Sequence, residues 1–372
     1  MNGQGLWRRS LVSEKIMAGE LISADHGKGF SEAEGKQVKK KKKTKKERVK
    51  GKKGPQLLPY EALPDYLKDN EFILDHYRAD YSLKQAFHSF FCWHNETLNV
   101  WTHFLGFVLF LALTIANSTE VPEIADILWN FSRSFSPVDI TNVSYTLNNT
   151  LQSTIRLDLA KATTDLHSEG LPVTRWPLFV FLGGSMFCLL SSSLCHLFGC
   201  HSHQLSLFLW RFDYAGIAIM IVASFFPPIY YIFQCEPQWQ LIYLAGITTF
   251  GVFTVLTLLT PAFSSPEFRS FRAMLFVAMG FSGLIPAVHA LVVNWSEPRC
   301  LTVLAYELAM AALYSTGTFF YVSRIPEKWL PGKFDLAGHS HQIFHVFVVG
   351  GALAHYGATL VFLDWRGSVG CQ

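Results

Sequence analysis

Seven apolar runs, each close to the roughly 20 residues a helix needs to cross about 30 Å of hydrocarbon, dominate this 372-residue chain. They lie near 99–117, 177–196, 209–232, 239–259, 272–293, 302–323 and 340–363. Inside a bilayer every backbone N–H and C=O must find its partner within the protein, so runs of this length read as helices. The fold expected is an all-α membrane protein, a bundle of seven transmembrane helices. Half of the residues are hydrophobic and only 16% are charged, which argues against an average soluble enzyme. Prolines 227, 228 and 286 fall inside the third and fifth runs, where neighbouring helices can satisfy the freed carbonyls. The seven cysteines show no CxxC spacing, so neither a zinc ribbon nor a disulfide framework is indicated. Whether Cys235 and Cys300, both on outer connections, pair with each other is left open.

The charge is unevenly placed. From Lys39 to Lys53 the chain reads KKKKKTKKERVKGKK, eleven bases against Glu47. Residues 1–56 therefore read as a disordered polybasic cytoplasmic tail. It is expected to adhere to anionic lipid headgroups, at about 1 kcal/mol per base near the surface, rather than to nucleic acid. No apolar stretch in 1–54 has the form of a cleavable signal. Residues 57–98 read as a juxtamembrane segment, in which Leu83, Ala86, Phe87, Phe90 and Phe91 follow the spacing of an amphipathic helix lying in the interface or packing under the bundle. The bundle itself occupies 99–372, with a long outer connection at 118–175. Arg269, Arg272, Arg324, Lys328 and Lys333 flank the fourth and sixth connections, whereas the third has no base and the fifth only Arg299. That asymmetry predicts N-in/C-out. Sequons at Asn117, Asn130, Asn142, Asn148 and Asn294 fall on the predicted outer side. The expected location is a plasma membrane or endomembrane.

That topology gathers chemistry at one end. In GHSHQIFHV, His341 and His345 are four apart and share a helix face where the seventh span begins. The second span runs the other way and ends LLSSSLCH, placing His196 at the same depth with Ser192 one turn behind it. The third span begins WRFDYAGI and brings Asp213 to that level. Ionisable groups in spans are costly and normally face the interior or a cavity. Three imidazoles suit a catalytic Zn2+ site with an open position, and a nearby carboxylate suits an acid–base role. The reading is His196, His341 and His345 as metal ligands, with Asp213 and Ser192 in catalysis. His201, His203 and His339 compete from loops, and Cys195 is disfavoured as a neighbour of His196 that points elsewhere. Glu307, His289 and His355 form a second group in the outer half, read as structural hydrogen bonding between helices.

The chain resembles the progestin and adiponectin Q receptors. The likeness is carried by HNETLNVWTHFLGF (94–107), FCLLSSSLCHLFGCHS (187–202), RFDYAGIA (211–218), RIPEKWLPGKFD (324–335) and GHSHQIFHV (338–346), and extends over about residues 57–371. LPDYLKDNEFIL (63–74) and PEFRSFRAMLFVAMGFSGLIPAVH (266–289) point to the plant heptahelical transmembrane branch. The resemblance implies a zinc site at the positions of His196, His341, His345, Asp213 and Ser192. It also implies a receptor or sensor in hormone, sugar or abiotic-stress signalling. The alternative is a zinc-dependent intramembrane hydrolase of a lipid amide such as ceramide or another sphingolipid. The long 118–175 connection departs from animal members, so the extracellular ligand stays unknown.

Overall fold

The computed structural model describes residues 56–119, 173–264 and 266–370. The basic run from Lys39 to Lys53 and the sequons at Asn130, Asn142 and Asn148 lie outside the described residues.

Among the described residues, seven helical spans are long and apolar enough to cross a membrane. A short α1 (Leu83–His88) precedes α2 (Thr97–Ser118), α3 (Trp176–Phe198), α4 (His203–Ile232) and α5 (Pro237–Leu259). Then come α6 (Arg269–Ser282) and α7 (Leu284–Val293), which together form the fifth span, followed by α8 (Cys300–Ser323) and α9 (Ser340–Ser368). Local signals set several boundaries. α3 and α5 carry proline in their first turn, where the missing N–H costs nothing. The hydroxyl of Ser202 accepts from the Leu205 amide at the start of α4. The break between α6 and α7 follows from Pro286, which has no N–H to offer the carbonyl of Ser282. The chain tightens there, with the Gly283 amide bonded to Gly280 O at 3.1 Å. By contrast, α4 continues unbroken through Pro227 and Pro228.

The spans are not equally enclosed. α3 lies at the centre, packed mainly on α2 and α4, while α8 and α9 pair closely. Phe110, Phe181, Leu182, Leu189, Tyr231 and Phe362 join α2, α3, α4 and α9 into the main apolar core. The fifth and sixth spans leave nearly all of their residues at the periphery, as helices solvated by lipid tails can.

Residues 56–96 fold against the end of the bundle where α2, α4, α6 and α9 begin. A bridge between Leu58 and Tyr77 closes a small core of Leu63, Ile73 and Tyr77. This cap is tied down by polar contacts. Asp69 bonds Arg269, Glu71 bonds Arg324, and the Leu74 amide donates to Asp335 Oδ1 at 3.0 Å. The buried Arg78 guanidinium donates to the carbonyls of His196 (2.7 Å) and Leu197 (3.0 Å), completing the C-terminus of α3. Burial alone would raise the Asp69 carboxyl, but Arg269 and Arg324 outweigh it and hold the group below the usual carboxylate range. The amphipathic pattern expected over 83–91 is realised only in part. The α-helix stops at His88 and a 3-10 turn covers Ser89–Phe91. Ala86 is buried, while Leu83, Phe87 and Phe91 face outward.

Two points on the other side of the bundle are settled by the structure. Asn117 lies in the last turn of α2, which runs on to Ser118. Its side chain is buried, and its Nδ2 donates to Leu113 O and Tyr356 Oη, both at 2.8 Å, so its sequon is closed to modification. Cys300 is a free thiol while Cys235 is disulfide-bonded, so these two do not pair with each other.

Candidate metal centre

His341 owes its position to the way α9 starts. The N-cap, His339, makes no side-chain cap bond. Glu327, fully buried in the preceding loop, supplies one instead. Its carboxylate accepts from the Ser340 amide at 2.7 Å, from the Ser340 hydroxyl and from Asn70 Nδ2 at 3.1 Å. An acidic group at a helix N-terminus also meets the positive end of the helix dipole. The first turn of α9 is thereby held to both the loop and the cap.

From that turn His341 and His345 project toward His196 at the end of α3. One ring nitrogen from each of the three lies within 4.8 Å of the others. His196 Nε2 and His341 Nε2 are 3.3 Å apart. Two neutral lone pairs repel at that separation, so a proton or a metal ion belongs between them. Two corners of a tetrahedral zinc site with Zn–N near 2.05 Å are about 3.3 Å apart, so the pair fits. Two of the remaining nitrogens are anchored elsewhere. His196 Nδ1 meets Glu96 Oε2 at 2.8 Å. His345 Nδ1 meets Asn99 O and Thr102 Oγ1, each at 3.2 Å. A ring whose Nδ1–H is donated outward keeps its Nε2 lone pair for a metal.

Asp213 and Ser192 are buried beside this group. The Ser192 hydroxyl lies near the Asp213 carboxylate, whose charge acts on His196. The carboxylate is not one of the three clustered ligand atoms. Of the competing groups, none joins the cluster. His339 is buried but turns Nε2 to Asn95 O at 3.3 Å. His201 bonds Tyr81 O at 2.7 Å, and His203 lies against the Tyr66 ring. In the outer half, His355 Nδ1 meets Glu307 Oε1 at 3.1 Å, the interhelical bond expected. His289 is elsewhere, bonded to Tyr243 Oη at 2.9 Å.

The surroundings are two-sided. Toward the cap, Asp69, Arg78, Glu96, Trp210, Arg269 and His339 line a cavity that reaches His196 and His341. Deeper in the bundle, Cys188, Met220, Val348, Tyr314 and Phe344 pack as an apolar layer. The first span is what reading by residue type overlooked. Glu96, Asn99, Thr102 and His103 all face the histidine group, and the His103 ring stacks on that of His345 with centroids 3.5 Å apart. The signal was present: polar residues at spacings of three and four open an otherwise apolar span.

A family profile described as haemolysin-III related matches residues 91–356. The chain is 55% identical over 316 residues to heptahelical transmembrane protein 1 of Arabidopsis thaliana, an alignment covering 85% of this chain and 84% of that one. It is 52% identical over 325 residues to heptahelical transmembrane protein ADIPOR1 of Oryza sativa subsp. japonica, covering 85% and 86%. The adiponectin receptor protein of Drosophila melanogaster is 31% identical over 299 residues, covering 80% of this chain and 57% of that protein. With seven apolar spans and these relatives, the chain belongs to the haemolysin-III related, adiponectin receptor-like family of multi-pass membrane proteins, alongside the plant heptahelical transmembrane proteins.

Proposed function

We propose that this protein is an adiponectin receptor-like membrane receptor or sensor in which His196, His341 and His345 hold Zn2+ near the cytoplasmic end of the bundle. The observation that carries the reading is the convergence of three imidazoles from two helices, two of the rings with their outer nitrogens already engaged. A site this elaborate is unneeded for packing, since apolar side chains fill such positions at lower cost. The output assigned to it is hormone, sugar or abiotic-stress signalling, in keeping with the relative named an adiponectin receptor.

One observation favours a second reading, hydrolysis of a lipid amide such as ceramide. Asp213 is buried with Ser192 near its carboxylate and its charge acting on His196. Zinc at such a three-nitrogen site supplies Lewis acidity with a coordination position open to substrate. Asp213 would take a proton from the attacking water and return it to the leaving amine, a contribution of typically 10²- to 10⁴-fold. Ser192 would hold the carboxylate in place.

The test is metal analysis of the purified protein together with turnover of sphingolipid amides. About one zinc per chain is expected. His341→Ala or His345→Ala should lose most of it, while His339→Ala and His203→Ala should keep it. Asp213→Asn should retain zinc and abolish turnover. Equal zinc loss in all four histidine variants would show that the wrong imidazoles were chosen. Full zinc with no turnover of any sphingolipid amide would remove the hydrolase reading and leave the receptor.

A further inference from the structure

The first membrane span contributes none of the three clustered imidazoles, yet it touches two of them. Glu96 stands at the N-cap of α2 but its side chain caps none of that helix's backbone amides, so helix capping does not account for it. Its carboxylate instead reaches α3, where Oε2 accepts from His196 Nδ1 at 2.8 Å. Asn99 Nδ2 donates to the same oxygen at 2.5 Å, and Asn95 Nδ2 to Oε1 at 3.3 Å. The carboxylate is therefore held by two amides besides the imidazole.

We propose that Glu96 is the positioning residue of the histidine group, fixing the tautomer and ring plane of His196 so that the first span sets how tightly zinc is held. This rests on the zinc reading above. The reasoning is chemical. A neutral imidazole carries its proton on either nitrogen, and only the Nδ1–H form leaves Nε2 free for a metal. A carboxylate at Nδ1 selects that form and increases the basicity of Nε2. Without it the ring can place its proton toward His341 and rotate about its bond to Cβ. Elsewhere in the group the span does the same through weaker acceptors, with Asn99 O and Thr102 Oγ1 at His345 Nδ1. Glu96 is the one charged member of this face, so it should dominate.

The experiment uses the full-length protein in detergent, with zinc affinity measured by competition against a chelator. It is paired with the melting midpoint of metal-stripped protein and the visible spectrum of the Co2+-loaded form. Glu96→Gln should weaken zinc by roughly 10- to 100-fold, alter the Co2+ spectrum and leave the metal-free midpoint within a few degrees of wild type. Asn99→Ala, which removes one of the bonds holding the carboxylate, should weaken zinc by a smaller factor and serves if Glu96→Gln does not fold. Wild-type zinc affinity and an unchanged Co2+ spectrum in both variants would overturn the positioning role while the zinc reading stands. A wild-type protein that holds no zinc would overturn both.

Discussion

His94 sits where the cap turns into the first span, 1% exposed and bonded through both ring nitrogens. Nε2–H donates to Ser89 O at 3.1 Å, and Nδ1 accepts from the Glu96 amide, also at 3.1 Å. Protonation would replace that acceptor with a donor facing a donor. Burial, helped by the nearby Arg78 guanidinium, pushes the folded-state pKa down to about 3. The unfolded chain binds this proton near pH 6.5, so between about 6.5 and 3 the unfolded state holds more protons than the folded one. Stability contributed by this residue is therefore constant above pH 6.5 and falls as the pH drops below it, at up to about 1.4 kcal/mol per pH unit. Melting midpoints in detergent from pH 7.5 to 5 should decline more steeply for wild type than for His94→Gln, and identical slopes would refute the assignment. At this scale the sequence was readable where depth alone decides. His196, His341 and His345 meet because alternating spans return to one end every second crossing. The spacing of Glu96, Asn99 and His103 marks a polar face on the first span, but that Glu96 reaches His196 on another helix is shown only by the structure.

Between elements, the second and third spans approach closely through small residues, and two adjacent glycines show what that demands. A Cβ at Gly184 would lie 2.5 Å from Cβ of Ala223, whereas one at Gly183 would meet nothing within 4 Å. Neither atom at the Gly184 contact can swing away, so the helices themselves must move apart, a cost of about 1–3 kcal/mol. Since α3 and α4 also carry His196 and Asp213, that shift reaches the site. Gly184→Ala is expected to lower the melting midpoint and to loosen zinc, while Gly183→Ala matches or exceeds wild type because alanine is the better helix former. Comparable midpoints for the two would mean that the tight contact is not a constraint on the bundle. The spans were legible from hydrophobic length to within a few residues at most ends. The two-part fifth span and the cap were not. One turns on how a single proline is accommodated, since Pro227 and Pro228 leave α4 whole. The other is built from contacts such as Asn70 with Glu327, 257 positions apart.

For the molecule as a whole, the cap bears on which way the bundle faces. Asp69 and Glu71 reach Arg269 and Arg324, so residues 56–96 and the base-rich fourth and sixth connections share one end of the bundle. Those arginines are paired in the folded protein, but orientation is decided at insertion, before such pairs form, when every Lys and Arg near a span counts. The run from Lys39 to Lys53 adds eleven bases on the same side of the first span. Its peptide should bind vesicles containing anionic lipid and release them as salt rises; binding indifferent to lipid charge would discount the membrane role. The opposite end carries Arg175, Arg299 and Arg366 beside the spans and Arg133, Arg156 and Lys161 in the long connection, fewer than the bases at the cap end. The whole chain should therefore insert with the cap, the polar cavity and the three histidines at the cytoplasmic leaflet. A tag placed before Met1 should be shielded from antibody on intact cells and revealed by permeabilisation, and one placed after Gln372 should be reachable throughout. The converse pattern would move the site to the outer leaflet, where any zinc would come from outside the cell and any lipid substrate from the outer monolayer. It would also make Arg269 and Arg324 the wrong guide to orientation, leaving their pairing with Asp69 and Glu71 as their remaining role.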